Sequence, residues 1–348
     1  MADGRVGRRR PRHPHRALQR RARPVLERRG RTLSASGYAG PGRLEGVHHV
    51  TAITGDAPRN VDFYARVLGL RLVKKSVNQD DPTVYHLFYG DEEGAPGNDI
   101  TFFEYPGARR GEAGAGMIHT VEWRVASSES LDFWEGRLAD EGVAGERVDG
   151  SFGFADPEGL RHRLVAAETP DEPLTADHPE VPREHALQGF NGVHAYAADP
   201  EQSRRFLEET LSFEPVAETS WEVRGEQRGG FYSYDETSER GVPGAGTVHH
   251  VAWASPMDEH EEWQRHIAAS GAHPTPIIDR FYFRSIYFRE PGGVLFEIAT
   301  IGPGFTADEP LESLGEHLSL PPNYEHLRDR LEQVLTPLPD LRAIRAGR

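Results

Sequence analysis

The chain repeats itself four times, and this limits the folds open to it more than any other feature. Four segments open alike: GVHHVTAIT from Gly46, GMIHTVEWRV from Gly116, NGVHAYAAD from Asn191 and TVHHVAWAS from Thr247. Each is short, rich in β-branched and aromatic residues, and reads as a strand. A helical pattern follows each one. PRNVDFYARVLGL puts Val61, Tyr64, Ala65 and Leu68 on one face, and SESLDFWEGRLADEGV, PEQSRRFLEETLSF and MDEHEEWQRHIAASGA repeat the spacing. Gly69, Gly142 and Gly271 stand where helices would stop. Strand-like runs then close the copies: DITFFEYP in copy one, DPEGLRHRLVAA in copy two and EPGGVLFEIAT in copy four. The unit is therefore βαβββ. A single unit leaves a sheet edge and an apolar face open, and pairing units covers both. The expected fold class is α+β: four βαβββ modules forming two paired-module domains, with curved mixed sheets around a central cleft.

Modules one and two are expected in 44–168 and modules three and four in 188–301. A linker rich in Pro and acidic residues joins them at 169–187. Residues 302–348 form a C-terminal extension with one helix over Asn323–Leu335. Residues 1–43 carry thirteen Arg against Asp3 and Glu27, a net of +11. They read as a disordered basic leader, or as sequence upstream of a misassigned start. The whole chain is −15, so residues 44–348 carry −26. Phosphate repels such a body, which argues against nucleic acid as a partner. No apolar run approaches the roughly 18 residues of a membrane span. No continuous apolar stretch of a secretory signal precedes the repeats, so a cytoplasmic location is expected. Oligomer formation stays open. The chain has no cysteine, so a metal here would be held by His, Asp or Glu.

Differences between the copies separate scaffold from site. Aligned on the opening strand, a first His recurs in all four: His48, His119, His194 and His249. Such a recurrence reads as part of the repeat. The next position holds His49, Thr120, Ala195 and His250, so only the outer copies place an imidazole there. In the closing strand copy four has Glu297, copy two has Arg163 and copy one offers Glu104. A carboxylate among Val294, Leu295, Phe296 and Ile298 is costly to bury without compensation. A metal held by His49, His250 and Glu297 would supply it. Two imidazoles and a carboxylate with open positions form the facial set of non-haem iron(II) enzymes, and manganese(II) or zinc(II) would accept the same donors.

These residues resemble the vicinal-oxygen-chelate superfamily, which contains glyoxalase I, bleomycin-resistance proteins and extradiol ring-cleaving dioxygenases. Within it the chain most resembles the hydroquinone ring-cleaving dioxygenases. The likeness lies in HHVT, DFYARVLGLRLVKKSVNQDD, YHLFYGDEEGAPG, VPREHALQGF, VHHVAWA, YFREPGGVLFE and GPGFTADE. It implies iron(II) on His49, His250 and Glu297, and a metal domain built from modules one and four. It also implies that His48, Thr51, His249, Arg280 and Tyr287 support the ligands or contact substrate. The implied partners are a small dihydroxylated aromatic and O2. Trp253, Phe281 and Phe283 are candidates for the pocket wall. Glu104 is either a fourth ligand, as in glyoxalase I, or a carboxylate at a strand end. The alternatives are a glyoxalase-like isomerase or lyase, and a non-enzymatic aromatic-binding protein.

Overall fold

The structure is a computed structural model that describes Met1 and residues 41–347. The basic leader expected over 1–43 thus falls almost wholly outside the described residues. The first module comprises β1 (Val47–Thr54), a helix, β2 (Arg71–Asn78), β3 (Asp81–Gly90) and β4 (Asp99–Glu104). The second runs through β5 (Met117–Val125), a helix, β6 (Gly145–Val148), β7 (Ser151–Ala155) and β8 (Arg161–Ala166). The third has β9 (Phe190–Ala197), a helix, β10 (Glu214–Ala217), β11 (Ser220–Arg224) and β12 (Gly229–Glu236). The fourth has β13 (Val248–Ser255), a helix, β14 (Ile278–Asp279), β15 (Arg284–Arg289) and β16 (Leu295–Thr300).

Two eight-stranded mixed sheets result. One has the order β14-β15-β16-β13-β1-β4-β3-β2 and joins modules one and four; the other, β10-β11-β12-β9-β5-β8-β7-β6, joins two and three. Each sheet is sewn by one antiparallel pair of opening strands, β1 with β13 and β5 with β9. Joining opening strands removes the edge that a lone module would expose. β1 is buried along nearly its whole length, as expected for a central strand covered on both faces.

The helices follow the expected positions with one difference. The second and fourth modules carry regular α-helices, Ser128–Asp140 and His260–Ala269. The first and third begin as α-helices, Ala57–Val61 and Glu201–Arg205, and then widen into π turns over Asp62–Val67 and Phe206–Thr210. Phe63 and Val67 are thereby buried alongside the predicted face of Val61, Tyr64, Ala65 and Leu68. Gly69, Gly142 and Gly271 end their helices with positive φ, where glycine meets no steric penalty. The helix predicted at Asn323–Leu335 is split: Pro322–Leu327 is 3₁₀ and Arg328–Val334 is α, and a further short helix follows at Leu341–Arg345. No helix among the described residues is long and apolar enough to cross a membrane.

Strand register corrects the repeat alignment. β1 and β13 pair symmetrically about Val50 and Val251, with the ladder skipping His48 on one strand and His249 on the other. β5 and β9 pair about Val121 and Val193, skipping His119 and Asn191. These skipped residues are bulges, where two residues oppose one. The counterpart of His48 in module three is therefore Asn191, not His194, and Gly192 occupies the position of His49. The same register matches Glu297, beside Ala252, with Thr101 beside Thr51, Arg163 beside Glu122 and Ser233 beside His194. Glu104 lies three residues past the true counterpart, opposite Thr54. The alignment on a shared first His set His194 beside His48, and the bulge at Asn191 overturns it.

Two buried polar assemblies brace the modules. Between modules one and two, the Trp123 indole N–H donates to His162 Nδ1 at 3.1 Å, leaving the imidazole hydrogen on Nε2. His162 Nε2 then meets the Tyr64 hydroxyl at 2.9 Å, which donates to Asp156 Oδ2 at 3.0 Å. At the C-terminal extension, Lys74 is fully enclosed. Its Nζ donates to Asp308 Oδ1 at 2.8 Å and to Glu309, and sits 4.9 Å from the centre of the Tyr282 ring. The first Lys of RLVKKSVNQDD and the DE of GPGFTADE thus meet as one ion cluster.

Candidate metal centre

The paired opening strands bring His49 and His250 together, and β16 delivers Glu297 beside them. His49 Nε2 lies 3.3 Å from His250 Nε2. Glu297 Oε2 is 3.2 Å from His49 Nε2 and 2.9 Å from His250 Nε2. All three residues are buried. These are the groups of His, Asp or Glu, among the described residues, whose donor atoms converge tightly enough to hold an ion.

The bulges explain how each imidazole is aimed. Successive strand residues normally face opposite sides, but the extra residue lets two neighbouring rings meet edge to face. His48 Nδ1 lies 3.0 Å from His49 Nδ1, and His249 Nδ1 lies 2.8 Å from His250 Nδ1. With the Nε2 lone pairs of His49 and His250 pointing at the centre, their hydrogens sit on Nδ1 and are donated to the neighbours. His48 then carries its own hydrogen on Nε2 and donates it to the Thr300 carbonyl oxygen at 3.2 Å. This is the outer hydrogen bonding that fixes the tautomer of a metal-binding imidazole.

The donor set fits a divalent ion. Bonds of about 2.1 Å at right angles would separate neighbouring donors by about 3.0 Å, close to the three spacings found. Neither carboxylate oxygen of Glu297 receives a well-aligned hydrogen bond, although both are enclosed. Burial alone would push this carboxyl up; the imidazoles of His49 and His250 outweigh it and hold it well below the usual carboxylate range. Two lone pairs and a carboxylate crowded into one enclosed space repel one another unless a cation lies between them.

The triad opens into a cleft lined by His49, His250, His86, Phe88, Phe103 and Phe283, with Arg280 and Tyr287 on one wall. Arg280 lies over the Tyr287 ring at 5.4 Å and pairs with Asp80 at 3.1 Å. Burial, then the Glu297 charge, pushes the Tyr287 phenol above its ordinary range, so it stays a hydroxyl donor.

Of the other predicted residues, only Phe283 lines this cleft. His48 borders a separate groove with Asp99 and Phe305, and His249 borders another with Arg240 and Arg289. Thr51 is buried opposite His250, its hydroxyl 2.8 Å from that of Thr101. Trp253 is not a pocket wall: it packs in the core against Phe213, Tyr232 and Phe296. Phe283 does line the cleft, and Phe281 packs behind it against Tyr282. Glu104 is held at its strand end by the Thr336 hydroxyl at 2.9 Å and the Ala57 amide at 3.3 Å. The sequence reading passed over His86. Its signal was a lone imidazole alternating with Val84 and Phe88 in the apolar and aromatic stretch Val84–Tyr89.

The sequence profile of the Glyoxalase/Bleomycin resistance protein/Dioxygenase superfamily matches residues 46–163 and 185–298. The chain is 43% identical over 302 residues to MhqO of Bacillus subtilis (strain 168), provisionally named a ring-cleaving dioxygenase; the match covers 84% of this chain and 96% of MhqO. It is 33% identical over 315 residues to the chlorohydroquinone/hydroquinone 1,2-dioxygenase of Sphingobium indicum, covering 85% and 97% of the two chains. A crystal structure of a provisionally named dioxygenase from Bacillus subtilis superposes with a TM-score of 0.81 at 42% identity, covering 86% of this chain and 98% of that one.

Proposed function

Since the chain belongs to the Glyoxalase/Bleomycin resistance protein/Dioxygenase superfamily, we propose that it is a ring-cleaving dioxygenase of the extradiol type, with iron(II) as its metal and a hydroquinone or related dihydroxylated aromatic and O2 as substrates. The observation that carries this reading is the three-donor set of His49, His250 and Glu297, whose pseudo-twofold fourth position is Thr101 rather than a carboxylate. Three protein donors leave room for two small ligands side by side, which a reaction joining O2 to an aromatic requires. The names of the relatives support the same chemistry.

His49, His250 and Glu297 would hold the ion. When bound, it would acidify a phenolic hydroxyl and let electrons pass between the aromatic ring and O2. The chain's own residues do the rest. Phe88, Phe103 and Phe283 wall the cleft with apolar surface and keep bulk water from the ring. The Tyr287 hydroxyl donates to an oxygen of the reacting pair, and Arg280, stacked on that ring, holds its plane and favours negative charge developing nearby. Asn78, Gln79 and Asp80 at the cleft wall offer polar partners to the second substrate hydroxyl.

A glyoxalase-like isomerase using a fourth carboxylate is disfavoured by the placement of Glu104, which is occupied by Thr336 and Ala57. The deciding experiment is oxygen uptake on adding methylhydroquinone to protein reconstituted anaerobically with iron(II). Substrate-dependent uptake with loss of the aromatic absorbance is expected. Metal-loaded protein that consumes no oxygen with a panel of hydroquinones and catechols would overturn the reading.

A further inference from the structure

The cleft has two walls related by the pseudo-twofold axis, and they are chemically unequal. On the module-four wall β16 and β15 place Glu297 opposite Tyr287. On the module-one wall β4 and β3 place Thr101 opposite Phe88, and His86 opposite Phe103. The counterpart of His86 in module four is Ser285, opposite Ala299. The module-one wall thus has the Thr101 hydroxyl where the module-four wall has the Glu297 carboxylate, and the His86 imidazole where it has the Ser285 hydroxyl.

His86 is built into this corner. Its Nε2 lies 3.0 Å from the Thr101 hydroxyl, which in turn lies 2.8 Å from Thr51. Its ring is packed against Phe88 at 3.9 Å and Phe103 at 4.4 Å between centroids. The Thr101 hydroxyl occupies the place from which a fourth carboxylate would reach the ion, and the His86 ring fills the space beside it. Nε2 is engaged, while Nδ1 takes no protein partner among the described residues, and the side chain lines the cleft. Burial first, then the neighbouring His49, His250 and Arg280, push its basicity well below the usual imidazole range, with Glu297 opposing. Nδ1 is thus left to make one hydrogen bond, as donor or acceptor according to the tautomer.

We propose that His86 is a substrate-contacting residue that hydrogen-bonds, through Nδ1, the aromatic hydroxyl brought to the His49–His250–Glu297 corner. This rests on reading the cleft as an aromatic-diol site. The contact fixes the ring's rotation between Phe88 and Phe103, on the side opposite Tyr287, so that the two walls grip the hydroxyl and the reacting pair separately.

The test compares two probes under nitrogen, methylhydroquinone and its dimethyl ether, by equilibrium binding to metal-loaded protein. His86→Phe keeps the aromatic packing and removes the hydrogen bond; His86→Gln keeps a polar contact. His86→Phe is expected to weaken methylhydroquinone about five- to tenfold, the worth of one hydrogen bond. The ether should be nearly unaffected, metal content unchanged, and His86→Gln should recover part of the loss. Equal weakening of both probes, or none of either, would overturn the proposal, because a role in packing alone does not tell a hydroxyl from a methoxy group. Methylhydroquinone binding that depends on His86 without any oxygen uptake would sink the dioxygenase reading and leave this contact standing.

Discussion

His49 and His250 lie 201 residues apart in sequence, yet their Nε2 atoms come within 3.3 Å of one another across the seam between β1 and β13. The pairing is symmetric, so each ring arrives with the same bulge and the same supporting histidine. Glu297 breaks that symmetry, because its counterpart Thr101 has no charge to offer.

Removing one donor should empty the centre. His250→Ala or Glu297→Gln is expected to lower metal affinity by more than the about 10–100-fold typical of losing an outer hydrogen-bond partner. Metal analysis after dialysis against a weak chelator checks this. Near-stoichiometric metal in both variants would show that the ion is held elsewhere. Glu297→Gln should still fold, because the buried carboxylate is then replaced by a neutral group of the same shape.

The supporting histidines should act on affinity in a graded way. His249→Ala deprives His250 Nδ1 of its partner at 2.8 Å but leaves all three donors in place. A loss of about 10–100-fold in metal affinity is expected. Competition with a fluorescent chelator measures it. An unchanged dissociation constant would mean that the two rings do not share a hydrogen.

Lys74 should matter to the C-terminal extension. Lys74→Met keeps the volume but strands Asp308 and Glu309, whose side chains are only 21% and 9% exposed. Breaking a buried ion pair on one side costs about 3–5 kcal/mol. Urea unfolding should report a loss of that order, with limited proteolysis cutting within 302–348. Adding Asp308→Asn and Glu309→Gln should restore part of the loss. A change below about 1 kcal/mol in Lys74→Met would contradict the assignment.

Acid should weaken the brace between modules one and two. Burial pushes the His162 imidazole down to about 3 from an ordinary 6.5. A depressed folded-state value means stability that is complete above 6.5 and is lost as pH falls from 6.5 towards 3. The slope is about 1.4 kcal/mol for each pH unit in that window. Protonation would also break the bond from Trp123, since Nδ1 could no longer accept. His162→Gln should be less stable at pH 7.5 and should show a shallower acid loss. Parallel pH profiles for the two proteins would rule out this origin.

Much of the fold could be read in advance, because its modules follow short rules. Alternation marked the opening strands, and glycines marked helix ends. The triad was legible because His49, His250 and Glu297 stand out against Thr120 and Arg163 at the matching positions of module two. What escaped depended on register. A bulge at Asn191 shifts the ladder by one residue, and no local pattern distinguishes it from a bulge at His194. Glu104 looked like the mate of Glu297 because each follows a Phe in an apolar stretch; parallel pairing with β1 gives that place to Thr101. His86 matters only through the strand beside it. Lys74 meets Asp308 at a separation of 234 residues, which local spacing cannot reveal.

The seam between β1 and β13 also bears on biosynthesis. A ribosome must release position 297 from its exit tunnel before all three donors can meet. An emerging polypeptide that ends after the third module owns His49 alone of the three donors. A product terminated before position 297 therefore lacks the complete set.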